Sequence, residues 1–150
     1  MEVRKRLPER VAPACCVGPA PAGLRQGIAE FNAGEYYEAH ETLEALWMAE
    51  PGDRRLLYQG ILQVGVGLYH LRRQNYRGAL NLLAYGLDKL VRLPHQCLGV
   101  EVAALRLAAT ACREQVLALG PDGLAAFDWR LAPVVRFVLT VEEWRTPPDR

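Results

Sequence analysis

The sequence has no CxxC pair, no apolar run of bilayer length and no excess of charge of either sign. Without CxxC spacing, Cys15, Cys16, Cys97 and Cys112 do not read as a zinc site. Adjacent Cys15 and Cys16 make an awkward disulfide pair. The expectation is therefore reduced thiols in a cytoplasmic protein, with Cys112 a small core residue on a helix. The most apolar stretch, Leu56 to Leu71, is interrupted by Gln59, Gln63 and His70. It falls short of the ~20 apolar residues that span a bilayer. Met1 to Gly23 carries basic residues with no continuous apolar run after them, and so reads as an irregular lead-in rather than a signal peptide. Eighteen basic and 17 acidic residues leave a net charge of +1. Nucleic-acid binding draws on a basic excess on one face. No nucleic-acid and no membrane partner is expected.

What is present is ordinary for a folded domain. The 150 residues are 51% hydrophobic and 23% charged, enough for one domain with a real core. Residues 1–22, broken by Pro8, Pro13, Pro19 and Pro21, are expected to lie irregularly across the surface. Residues 23–120 read as a helical domain. Residues 121–150 read as an irregular extension, packed on the domain or trailing from it. The fold class is all-α, a compact bundle of about five helices built on two consecutive helical hairpins.

The first helix opens at Leu24, with Leu24, Ile28 and Phe31 at helical spacing and Asn32 and Gly34 suited to a left-handed cap. The second runs from about Glu35 to Ala49. The third, about Arg54 to Arg73, starts after Asp53 as N-cap and is apolar almost all round. Its Gly60, Gly65 and Gly67 each cost ~1 kcal/mol against alanine, which implies close approach of a backbone or a ring. The fourth, about Tyr76 to Leu93, is capped by Asn75 and stopped by Pro94. The fifth covers about Val100 to Leu119 with the stripe Val102, Leu105, Ala109, Cys112 and Val116, and Gly120–Pro121 ends it. Gly34-Glu35-Tyr36 is echoed by Gln74-Asn75-Tyr76 forty positions later. The echo resembles tetratricopeptide arrays, so a tetratricopeptide-like protein-interaction module is an alternative reading, although the spacing exceeds their ~34 residues and two copies are fewer than a stable array needs.

Phe31 to Trp47 holds the densest set of ionisable groups. With 3.6 residues per turn, Glu44 lies about 40° and Glu41 about 100° from His40, at the edge of an arc formed by Tyr36, Ala39, Leu43, Leu46 and Trp47. On the third helix Gln59, Gln63 and His70 fall within about 40° of one another. If the two helices pack as a hairpin, these rows face each other. The candidate site is thus His40, Glu41, Glu44, Trp47, Gln59, Gln63 and His70. Three readings follow. The set can form an internal hydrogen-bonded network that fixes helix register. It can line a pocket for a small molecule or a protein partner. His40, Glu44 and His70 can also hold a divalent metal for a hydrolase that uses Glu41 or Glu44 as general base. The zinc-protease helix is not present, because HExxH needs histidine where Glu44 stands. No nucleophile or cofactor motif accompanies the carboxylates, so the leading reading is a non-catalytic binding domain without a cofactor.

The run F-N-x-G-x-Y-x-E-A-H-E-x-L-E-x-x-W from Phe31 to Trp47 resembles the prokaryotic domain-of-unknown-function family 309. Gln59-Gly60 with Gln63, Tyr69-His70, Gly78-Ala79-Leu80 and Gly86-Leu87 extend the likeness across about Leu24 to Leu93. The resemblance implies a small all-α cytoplasmic domain with no established activity. Gly65 and Gly67 depart from it, standing where alanine is expected.

Overall fold

The computed structural model describes residues 9–139. Expectations that fall on residues 1–8 and 140–150 lie outside the described residues. Five helices follow one another: α1 (Ala22–Asn32), α2 (Tyr36–Ala49), α3 (Arg55–Arg72), α4 (Tyr76–Leu90) and α5 (Val102–Gly123). A short antiparallel ribbon, β1 (Gln96–Cys97) with β2 (Val100–Glu101), joins α4 to α5. Each helix packs chiefly on the next in sequence, α3 on α4 most extensively. The fold is therefore an all-α bundle, with α1–α2 and α3–α4 as its two hairpins.

The forty-residue echo has a structural counterpart. After α1, the Gly34 N–H donates to Phe31 O and the Glu35 N–H to Glu30 O. After α3, the Gln74 N–H donates to Leu71 O and the Asn75 N–H to His70 O. The two turns thus close with the same hydrogen bonds, each around a left-handed residue: Gly34 at φ 79° and Gln74 at φ 58°. Asn75 caps α4 as expected, its Oδ1 accepting from the Gly78 N–H at 3.0 Å. Asp53 does not cap α3. The helix begins one residue after Arg54, and the Asp53 carbonyl, not its carboxylate, accepts from the Leu56 N–H. α4 ends at Leu90, ahead of Pro94, because Val91 to Leu93 tighten into a turn.

The α3–α4 seam closes over glycine. A Cβ on Gly86 would stand 2.7 Å from Val64 Cγ2 and 2.9 Å from the Gly60 carbonyl oxygen. A Cβ on Gly67 would stand 2.9 Å from Leu83 Cγ. The glycine cost is thus offset by contact between helices, and a Cβ on Gly65 would likewise stand 3.2 Å from the Phe31 ring. Leu57, Ile61, Val64, Leu68, Leu83 and Leu90 are wholly enclosed here, each burial contributing about 1.5–3 kcal/mol. The stripe Val102, Leu105, Ala109, Cys112 and Val116 buries α5 against the bundle, and Gly120 at φ 69° breaks that helix before Pro121.

Both described flanks lie on the bundle. The Val11 N–H donates to Arg92 O, and Asn32 exchanges two hydrogen bonds of 2.8 Å with the Val135 backbone. One expectation is overturned here. Cys16 and Cys97 are joined as a disulfide across 81 residues, so they are not reduced thiols. Spacing along the chain could not show this, because the pairing depends on the β1–β2 ribbon folding back onto a 3-10 turn at Pro13–Cys16. Cys112 is a buried free thiol on α5, as expected. Among the described residues no helix is long and apolar enough to cross a membrane.

Candidate functional site

The α2–α3 seam differs from the α3–α4 seam in that aromatic rings line it. Tyr36, Tyr37 and His40 from α2, and Val66, Tyr69 and His70 from α3, surround a recess of about 190 Å³. The six positions follow from helical period. Residues 36, 37 and 40 share a turn and a half of α2, and residues 66, 69 and 70 do the same on antiparallel α3. The Tyr37 and Tyr69 ring centroids stand 6.4 Å apart across the opening, at an interplanar angle of 45°. Tyr37 is exposed while Tyr36 is buried against Phe31. Burial pushes the Tyr36 phenol above its ordinary value, with the Arg72 guanidinium pulling against it.

Two arginines lie over lining rings. Arg72 lies 5.0 Å over the Tyr36 ring and donates to Gly34 O at 2.8 Å, which ties the end of α3 to the start of the first hairpin's second arm. Arg73 lies 5.5 Å over Tyr69 and donates to its hydroxyl at 3.3 Å.

The structure brings together part of the sequence-derived set. His40 Nε2 meets Glu44 Oε2 at 3.1 Å, one turn along the same helix, with side chains 36% and 41% exposed. His70 lies in the same recess as His40 but bonds elsewhere: Asn75 Nδ2 is 3.3 Å from its Nδ1. Because Asn75 Oδ1 already accepts from Gly78, Nδ2 is the donor. His70 Nδ1 then faces that amide as the acceptor. Glu41 is exposed, off the recess. Trp47 is half-buried and packs against the core. Gln59 and Gln63 are half-buried on α3, and Gln63 Oε1 is enclosed without a hydrogen-bond partner among the described residues.

Of the two polar rows, His40 and His70 line the recess, one from each helix. Among the described residues the side-chain partners of His40 and His70 are Glu44 and Asn75, near them along the chain rather than across the seam. Helical geometry explains this: an i, i+4 neighbour satisfies His40 before a residue on another helix can reach it. The metal set His40, Glu44 and His70 is not assembled either. No three His, Cys, Asp or Glu side chains among the described residues stand close enough to hold an ion. Tyr36, Tyr37, Val66 and Tyr69 line the recess but lie outside the set read from the sequence. The available signal for Val66 was its place at i−4 from His70, about 40° away around α3.

The fold and recess define a class first: a two-hairpin helical domain with an aromatic opening between its middle helices. Residues 24–82 match the family described as "Domain of unknown function (DUF309)", so the resemblance carried by the Phe31–Trp47 motif holds, over a segment shorter than Leu24 to Leu93. The chain is similar to the uncharacterized protein YpuF of Bacillus subtilis (strain 168), with 35% identity over 94 residues, 59% of this chain and 53% of that protein. It is also similar to an uncharacterized protein of Aquifex aeolicus (strain VF5), with 23% identity over 84 residues, 55% of this chain and 25% of that protein. The chain thus spans about half of one curated relative and a quarter of the other.

Proposed function

We propose that this domain is a non-catalytic binding module whose α2–α3 recess receives one apolar or aromatic side chain of a protein partner. The observation that carries the reading is the size of the recess set against its lining. Small-molecule and cofactor sites occupy ~300–1,000 Å³. The recess is about 190 Å³, room for one large side chain. Four of its six lining residues are Tyr36, Tyr37, Val66 and Tyr69, which offer apolar contact and stacking to an incoming residue. Arg72 and Arg73, over two of those rings, supply donors to backbone carbonyls or acidic neighbours of that residue. The hairpin echo favours the same class of function, since successive helical hairpins present surfaces to peptides.

Peptide selection tests the proposal. Random peptides are selected on the full chain and on Val66→Trp, in which the larger ring fills the recess. Circular dichroism checks that the variant keeps its helices. The reading expects a consensus with one aromatic or large aliphatic anchor on the wild type, and loss of those peptides on Val66→Trp. Peptides that bind both proteins equally, or a selection without an apolar anchor, contradict it.

A further inference from the structure

At the far end of the second hairpin, the Pro13–Cys16 turn meets the β1–β2 ribbon. The Leu98 N–H donates to Cys16 O at 2.8 Å, which docks one on the other. Arg54 clamps the turn from the start of α3, donating from Nε to Cys15 O at 2.8 Å and from Nη2 to Val17 O at 3.0 Å. The bonded Cys16 and Cys97 are 9% and 1% exposed. Thiol–disulfide exchange requires a thiolate to reach one of the two sulfurs, and burial denies that approach from solvent. Cys15 is different. It is only half-buried, and its Sγ stands 3.7 Å from Cys16 Sγ.

We infer that Cys15, Cys16 and Cys97 form a thiol–disulfide exchange site in which Cys15 relays reducing and oxidising equivalents between solvent thiols and the enclosed Cys16–Cys97 pair. In the reductive direction the Cys15 thiolate bonds to Cys16 Sγ while the Cys16–Cys97 bond breaks. The electron pair leaves on Cys97, which takes a proton from water. The new Cys15–Cys16 disulfide has one accessible sulfur. A low-molecular-weight thiolate attacks Cys15 Sγ and frees Cys16. A second such thiolate frees Cys15 and leaves as part of a small disulfide. Two electrons pass from two small thiols to the protein. Oxidation is the reverse, with a low-molecular-weight disulfide as the oxidant.

Burial, then the neighbouring Asp53, raises the Cys15 thiol above its ordinary value. A minority is thiolate at neutral pH, which slows the attack, and the fixed proximity of the two sulfurs offsets that loss. Cys112 stands apart: burial in α5 pushes its thiol up to about 12. It takes no part.

The test is reduction of the oxidised full chain by dithiothreitol, quenched at intervals with acid, alkylated in denaturant and read by peptide mass spectrometry. Wild type should show Cys97 freed first, together with a short-lived Cys15–Cys16 disulfide, the awkward pairing of adjacent cysteines making it transient. Cys15→Ser should lose its Cys16–Cys97 bond about tenfold more slowly, with an unchanged melting temperature. Cys112→Ser should match wild type. Equal or faster reduction in Cys15→Ser, or oxidised protein lacking the Cys16–Cys97 bond, overturns the inference.

Discussion

The two seams of α3 are built on opposite plans. Toward α4 the helix presents Gly60, Val64 and Gly67, and the neighbouring backbone comes within contact of them. Toward α2 it presents Val66, Tyr69 and His70, and the partner helix presents rings in return, which leaves an opening of about 190 Å³. Glycine lets helices meet, whereas facing rings hold them apart. One helix thus forms a closed joint on one face and the wall of a recess on the other.

Substitutions can break that contrast. The largest effect is expected from Leu83→Ala, which empties the space against Gly67 at a fully enclosed position. It should lower unfolding stability by about 3 kcal/mol in urea titration. Gly86→Val should cost roughly 2 kcal/mol, because the added methyls collide with Val64 and the Gly60 carbonyl. Val66→Ala, on the open face, should cost about 1 kcal/mol or less in the same titration, while enlarging the recess. His40→Ala should be the mildest, within about 0.5 kcal/mol, because its bond to Glu44 is a partly exposed pair within one helix. A loss of several kcal/mol in either open-face variant would erase the distinction between the seams.

Much of this fold was legible in the sequence, and particular residues show why. The stripe from Val102 to Val116 is buried at every position expected, because a 3.6-residue period can satisfy one core face and no other. Asn75 caps α4 as its side-chain chemistry dictates, and the echo between Gly34 and Gln74 reappears as identical closing hydrogen bonds. Asp53 was misread because a carboxylate before a helix is only one way to close its first turn, and backbone carbonyls close this one. The Cys16–Cys97 bond was illegible, since its partners are 81 residues apart and meet through a ribbon that has no helical period. For the site, periodicity placed His40 and His70 on facing helices, where both now line the recess. It could not rank partners. Glu44 and Asn75 lie nearer along the chain than any group across the seam, and they take those imidazoles first.

The central claim is that the α2–α3 opening accepts an apolar side chain. Its most direct measurement is a titration of the full chain with N-acetyl-tryptophanamide, followed by aromatic and methyl chemical shifts. The account expects saturable shifts centred on Tyr37, Val66, Tyr69 and His70, lost in Val66→Trp, while Val64 and Leu83 stay in place. Shifts scattered over the surface, or an unresponsive Tyr37 and Tyr69, would contradict it.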